Sequence, residues 1–325
     1  MTRKIDADSD RLDDAARAGW LYYIAGNTQD EIAKKLGVSR QTAQRLVSLA
    51  VSEKLIKVRL DHPIGRCIEL SGRLKEVYGL NMCEVVPADP ASTSDSLGVA
   101  EAAAAELERY LVSQHPVICA MGTGRMLRAM VEQVSPMDCP QHKLVSLVGN
   151  IAPDGSASLF DVVSRIGDRV KAPHYPMPLP VIAPTVHEKT LLLSQKTLRN
   201  VIELARQADV TFIGIGTVDE TAALLRDGFV RHDEIRALMR AGAVGEITGW
   251  AFDAQGSLIE GLTNDRVLSV PLDQPAEKKV IGVAMAVARL RAVKGALRGR
   301  LINGLITNET MAELLLETAG AGLQP

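Results

Sequence analysis

Thr28-Gln29-Asp30-Glu31-Ile32-Ala33-Lys34-Lys35-Leu36-Gly37-Val38-Ser39-Arg40-Gln41-Thr42-Ala43-Gln44-Arg45-Leu46-Val47 decides how the first part of the chain folds. Thr28 with Glu31 three residues on is a capping-box pattern and predicts a short helix turning Ile32, Ala33 and Leu36 inward. Gly37-Val38-Ser39 reads as a turn, and Ser39 has the chemistry to cap a further helix running to about Glu53. Along that helix Ala43, Leu46, Val47 and Ala50 fall at i, i+3, i+4 and i+7, a single apolar stripe. Gln41, Gln44, Arg45 and Ser48 repeat the spacing on a polar face. Upstream, Leu12, Ala15, Ala16, Gly19, Trp20, Tyr23 and Ile24 follow the same helical pattern until Gly26-Asn27 ends it. Helix, short turn, helix is the geometry of a major-groove reader. Arg grips guanine O6/N7, Gln grips adenine N6/N7, and a positive first turn faces phosphate. Thr28, Ser39, Arg40, Gln41, Thr42, Gln44 and Arg45 are the candidate contacts with double-stranded DNA. The plainer alternative is a three-helix domain whose polar face only keeps it soluble.

Charge separates this head from the rest. Residues 28–60 hold seven basic and three acidic side chains, a net +4. The whole chain of 325 residues carries −2, so the remainder carries −6. A basic segment on an acidic body points to a nucleic-acid head joined to something else. Leu55-Ile56-Lys57-Val58-Arg59-Leu60 alternates as a half-exposed strand, a possible wing, with Lys57 and Arg59 facing either phosphate or solvent. Asp61-His62-Pro63-Ile64-Gly65 breaks it. The expected division is a helix-turn-helix domain at 1–60, a connecting segment at 61–80 with Leu70, Leu74, Val77 and Tyr78 on one helix side, and a body at 81–325. Hydrophobic residues at 46% and charged residues at 23% exclude disorder, and 3% aromatic residues argue against single-strand stacking as the main activity. No apolar run is long enough to span a membrane, and the first residues lack the apolar stretch of a signal peptide. Cys67, Cys83, Cys119 and Cys139 are scattered, as expected of reduced thiols in a cytoplasmic protein.

The body alternates apolar runs with helical patterns. The runs are 84–86, 117–120, 144–148, 210–215, 280–284 and 301–306; the helical patterns are 97–112, 125–134, 157–166, 197–206, 233–240, 289–297 and 309–318. Together they predict an α/β fold, Rossmann-like, with a mainly parallel sheet covered on both faces. In such sheets ligands settle at the carboxyl ends of the strands. Cys119-Ala120-Met121-Gly122-Thr123-Gly124-Arg125 leaves a strand through a Gly-rich turn into a helix, and Phe212-Ile213-Gly214-Ile215-Gly216-Thr217 repeats the idea with Asp219 just beyond. Such turns either cradle a ligand or simply make tight connections. Neither becomes G-x-G-x-x-G, because Leu127 and Asp219 stand where the third Gly would be, so a dinucleotide site is not expected. No cofactor, metal site or catalytic motif is read from the sequence, and the six histidines are isolated.

These pieces resemble the SorC-type sugar-binding transcriptional regulators (DeoR/SorC-like), whose helix-turn-helix precedes a sugar-sensing domain related to sugar-phosphate isomerases. The likeness is carried by the head and its Val38-Ser39-Arg40 turn, by 121–125, by Val148-Gly149-Asn150 and by Pro176-Met177-Pro178-Leu179-Pro180. It continues through 213–217, Gly242-Ala243-Val244-Gly245-Glu246-Ile247, Phe252-Asp253 and Leu305-Ile306-Thr307-Asn308-Glu309. The resemblance implies a regulator of a carbohydrate catabolic operon, a homo-oligomer (dimer or homotetramer) that binds operator DNA and answers to a sugar, polyol or sugar phosphate. It places effector contacts on Gly122, Thr123, Gly124, Arg125, Glu246 and Arg289. Asn150, Gly216, Asp219 and Phe252, in or beside the other matching stretches, complete the candidate set. Where the family has a Gly-Gly pair followed by Lys, this chain has Met285-Ala286-Val287-Ala288-Arg289, and Met126 replaces a common Thr. Both departures favour an unphosphorylated effector. The rivals are an isomerase-like enzyme with a helical appendage, using Asp219 or Glu246 as acid or base, and a structural oligomerisation protein.

Overall fold

Thr28 does what its position in the sequence implies. Its hydroxyl accepts from the Glu31 amide at 3.3 Å while its own amide donates to the Glu31 carboxylate at 2.8 Å. The computed structural model describes residues 2–53, 55–56, 64–88, 96–152, 154–156, 161–272 and 278–320, with side chains from 11 to 319 within those ranges. Residues 1–62 and 63–325 form two compact units. In the first, α1 (Thr2–Tyr23), α2 (Gln29–Leu36) and α3 (Arg40–Ser52) surround a small core of Ala18, Ile32, Ala33, Ala43 and Val47. Gly37 closes α2 in the left-handed conformation at φ 66°. Ser39 then opens α3, its hydroxyl accepting from the Thr42 amide at 3.1 Å.

The apolar stripe expected on α1 is only partly buried. Ala15, Ala18 and Gly19 are covered, whereas Leu12, Trp20, Tyr23 and Ile24 are exposed. Small residues decide this. A Cβ on Gly19 would lie 2.8 Å from the Ala50 methyl, so α1 approaches α3 along its Ala/Gly edge and the aromatic edge is left outside. The strand expected over 55–60 and the break after it fall largely on residues outside those described; Leu55 and Ile56 form a bend.

The second unit runs α4 (Gly65–Tyr78), β1 (Met82–Val86), α5 (Ser96–Leu111), β2 (Ile118–Met121), α6 (Arg125–Gln133), β3 (Lys143–Ile151), α7 (Val163–Val170), β4 (His174–Pro180), α8 (Val186–Ser194) and α9 (Lys196–Arg206). It continues with β5 (Val210–Gly214), β6 (Gly216–Thr217), α10 (Ala223–Arg226), α11 (His232–Arg240), β7 (Gly245–Ile247), β8 (Trp250–Phe252), β9 (Lys279–Val283), α12 (Leu290–Arg298), β10 (Gly304–Asn308) and α13 (Glu309–Gly320). Seven strands in the order β1-β10-β9-β5-β2-β3-β4 make an all-parallel sheet. Successive residues feed opposite cores: Ala120, Ile213 and Leu305 pack with α4, α9, α12 and α13, while Met121, Phe212 and Ile306 pack with α5, α6 and α7. Burial on both faces is why these strands read as unbroken apolar runs. The connecting helix expected near 70–78 is α4, which packs on β1 and α13 within this unit.

Three expectations change. The helix placed at 157–166 is α7, at 163–170, and residues 157–160 lie outside those described. β4 was not foreseen because Pro176, Pro178 and Pro180 argue against a strand; it stands at the sheet edge, where a missing N–H is tolerated. A small antiparallel sheet, β6-β7-β8, was also not foreseen, its strands being two or three residues long. Of the histidines, His142 is fully buried: Nδ1 accepts from the Val117 amide at 3.1 Å, which makes Nε2 the donor to Leu111 O at 3.0 Å. It is a structural strut.

Between Val145 and Gly149, β3 advances four residues while β4 advances two, from Tyr175 to Met177. The bulge brings backbone onto Gly149, where a Cβ would lie 2.1 Å from Leu179 O and 2.5 Å from Pro180 O. Gly149→Ala is therefore expected to cost about 2–3 kcal/mol, measured as the unfolding midpoint of the full chain. An unchanged midpoint would contradict this packing.

Candidate functional site

Two separate surfaces carry the candidate residues. On the first unit, α3 turns Ala43, Val47 and Ala50 into the core and leaves Gln41, Thr42, Gln44, Arg45 and Ser48 exposed. Gln41, Gln44, Arg45 and Ser48 have no side-chain partner among the described residues. Thr42 shares a 2.9 Å hydrogen bond with Ser39, and both Ser39 and Thr28 spend their hydroxyls on caps, so these three position the helices. Arg40 lies 3.5 Å from Asp30 in a solvent-exposed ion pair, a partner easily exchanged for phosphate.

On the second unit the sheet is wound in two directions. From β2 it grows through β3 to β4, and from β5, on the other side of β2, through β9 to β10 and β1. The carboxyl ends of β2 and β5 therefore border a switch-point crevice. There the Gly122 amide donates to Phe212 O at 2.8 Å, and a Cβ on Gly214 would sit 3.4 Å from Thr123 O, so the two Gly-rich turns lie against each other. Gly124 at φ 114° begins α6 without a side-chain cap, and Arg125, its first residue, pairs with Asp227 at 2.9 Å. From the turn after β9, Arg289 reaches back and donates to Ile215 O at 2.9 Å.

Glu246 completes this group. In the β6-β7 ladder it faces Gly216, and a Cβ there would come within 2.0 Å of its Oε1; only glycine leaves room for the carboxylate. Its other oxygen accepts from the Gly249 amide at 2.8 Å. Burial pushes the Glu246 carboxyl above the ordinary carboxylate range, against the opposing pull of that amide and of Arg289. Burial likewise lowers the Arg289 guanidinium; Glu246 opposes the shift, and the charges of Arg125 and Arg226 add to it. Two backbone conformations are strained here: Thr248, in the β7-β8 turn, at φ 50°, and Ala286, before Arg289, at φ 83°.

The remaining candidates behave differently. Asp219 is bound to its own loop, accepting from the Thr221 amide and hydroxyl, each at 2.7 Å. Burial raises its carboxyl, but the Thr221 and Thr217 bonds outweigh that and hold it below the usual range. Phe252 is fully buried, with its ring against Gly245, so in this structure it packs beneath the hairpin. Asn150 donates to Asp161 at 3.4 Å, while its Oδ1 is buried with no partner among the described residues. The Thr248 hydroxyl is in the same position, and neither Thr248 nor Asp227 was singled out from sequence. Among the described residues no His/Cys/Asp/Glu group has the makings of a metal site, and no helix is long and apolar enough to cross a membrane.

A helix-turn-helix with an exposed Gln/Arg face, followed in the same chain by a parallel-sheet unit with a polar switch-point crevice, defines a ligand-responsive transcriptional regulator. Residues 62–317 match the sugar-binding domain family. The chain is 31% identical over 302 residues to the erythritol catabolism regulatory protein EryD of Brucella abortus (strain 2308), covering 93% of this chain and 96% of that protein. It is 31% identical over 312 residues to the transcriptional regulator LsrR of Klebsiella pneumoniae subsp. pneumoniae, covering 94% and 93%. The crystal structure of the full-length sorbitol operon regulator SorC from Klebsiella pneumoniae superposes with a TM-score of 0.71 at 24% identity, over 93% of this chain and 97% of that one. The chain belongs to the SorC-type family of sugar-binding transcriptional regulators. It is a regulator, and the isomerase-like alternative falls, because its relatives are regulators and not enzymes.

The charge state of Glu246 yields a stability test. Because its folded pKa is raised, the carboxylate penalises folding at neutral pH. That penalty is absent below about pH 4, where folded and unfolded forms are both protonated, and complete above the raised folded pKa. Glu246→Gln mimics the protonated group. It is expected to melt above the parent protein at pH 7, with the difference shrinking as pH falls; thermal melts across pH read this, and a variant that melts lower at pH 7 would contradict it.

Proposed function

We propose that residues 1–62 dock on operator DNA with α3 in the major groove, and that residues 63–325 bind the effector and hold the oligomer together. Two heads in a dimer or tetramer then meet successive half-sites, and effector binding changes their spacing. The observation that carries the DNA contact is the unpartnered face of Gln41, Gln44, Arg45 and Ser48 beside a capped, positive first turn. The setting is the cytoplasm, where the operon's DNA is.

The effector is an unphosphorylated polyol or free sugar. Each arginine of the crevice already meets a carboxylate: Arg125 and Arg226 approach Asp227 at 2.9 and 3.8 Å, and Arg289 is drawn by Glu246. A phosphate dianion would have to displace these partners. Hydroxyl groups, which donate and accept, satisfy both the carboxylates and the arginines, together with the idle Asn150 Oδ1. The relative named for erythritol catabolism makes a four-carbon polyol the first compound to try. A coupling of about 1–3 kcal/mol between the sites would change operator affinity roughly 5- to 150-fold.

A thermal-shift screen of polyols, free sugars and sugar phosphates tests the effector class. A neutral compound at about 100 times its Kd is expected to stabilise the chain by about 2.7 kcal/mol, and a response to phosphorylated sugars alone would overturn the assignment. Arg45→Ala is expected to weaken operator binding by about 1–3 kcal/mol while leaving the effector's melt shift intact. An unchanged gel shift would count against the α3 contact.

A further inference from the structure

The reading helix does not stand alone on its side of the head. One groove between α1 and α3 is lined by Arg11 and Asp14 from α1 and by Gln41, Gln44, Arg45 and Ser48 from α3. Arg11 is exposed and makes no ion pair or hydrogen bond among the described residues. Its position follows from the close approach of α1 to α3 at Gly19 and Ala50, which holds the Arg11–Asp14 stretch of α1 beside the exposed face of α3.

We propose that Arg11 is a DNA-phosphate contact that extends the interface from α3 onto α1. The inference rests on the docking of α3 given above. An α-helix with its side chains is about 10–12 Å across and nearly fills a major groove about 12 Å wide. A side chain from the flanking helix therefore meets the wall of the groove, where the phosphates are, and not the base edges. Arg11 supplies a fixed charge and forked donors that fit a phosphate. Its contribution is independent of sequence, in contrast to that of Arg45. Arg17, two turns further along α1, lines a different surface with Trp20 and Lys35 and makes no such contact.

The test measures equilibrium binding of the full chain to an operator duplex and to a scrambled duplex over a salt series. Arg11→Ala is expected to weaken both about five- to tenfold and to make the slope of log K against log salt shallower by about one. Arg11→Lys should retain the slope, and Arg17→Ala should behave as the parent protein. An unchanged slope for Arg11→Ala, or a loss confined to the operator, would overturn the proposal. Arg45→Ala separates the two ideas, since the α3 docking stands if that variant loses operator preference while Arg11→Ala does not respond. If the parent protein shows no salt-dependent DNA binding, the docking itself fails. Melting temperature controls for folding, and the exposed Arg11 should leave it unmoved.

Discussion

The side-by-side, parallel pairing of β2 and β5 is the constraint on which the ligand-binding half depends. Strands entered from opposite winding directions leave no crossover helix above their shared carboxyl edge, so the turns that follow them are free to line a crevice. The Gly122–Phe212 hydrogen bond locks the two ends together. Once they are locked, the turn after β9 is the next neighbour, and Arg289 can reach the Ile215 carbonyl. The small sheet then hangs from β5 through β6, which places Glu246 over Gly216.

Stability and function pull apart at this edge. A half-buried carboxylate with a raised pKa, a desolvated guanidinium, two non-glycine residues at positive φ and two polar atoms without a partner among the described residues all make this edge less stable than a well-packed one. Such features survive where a ligand recovers the energy. The DNA-binding head is built on the opposite principle. Its core is small, and local caps at Thr28, Gly37 and Ser39 do much of the work of holding α2 and α3 in place.

The head was legible in the sequence because capping chemistry is local: donor and acceptor are three residues apart, and the turn glycine follows directly. The large sheet was legible because burial on both faces leaves a visible apolar run. β4 was hidden by prolines that only an edge position permits, and β6-β7-β8 by strands too short to show alternation. Around the crevice, the sequence singles out the turns at Gly122–Arg125 and Arg289 but not their partners. Arg125 meets Asp227 across 102 residues of chain, and the fit of Glu246 on Gly216 is a cross-strand pairing with no local signature. The surroundings of Phe252 and Asp219 were hidden for a related reason. An aromatic residue or a carboxylate in a matching stretch serves the core or its own loop as readily as a ligand, and the three-dimensional partners decide which.

The proposed function requires that one chain hold two binding sites whose occupancies are energetically linked. Linkage is reciprocal for binding, so the factor by which effector changes operator affinity must equal the factor by which operator changes effector affinity. The most direct measurement is calorimetric titration of the effector into the protein with and without a saturating operator duplex, set beside operator titrations with and without saturating effector. Equal factors of at least about fivefold in the two directions are expected. Effector and operator affinities that are each independent of the other ligand would contradict the account.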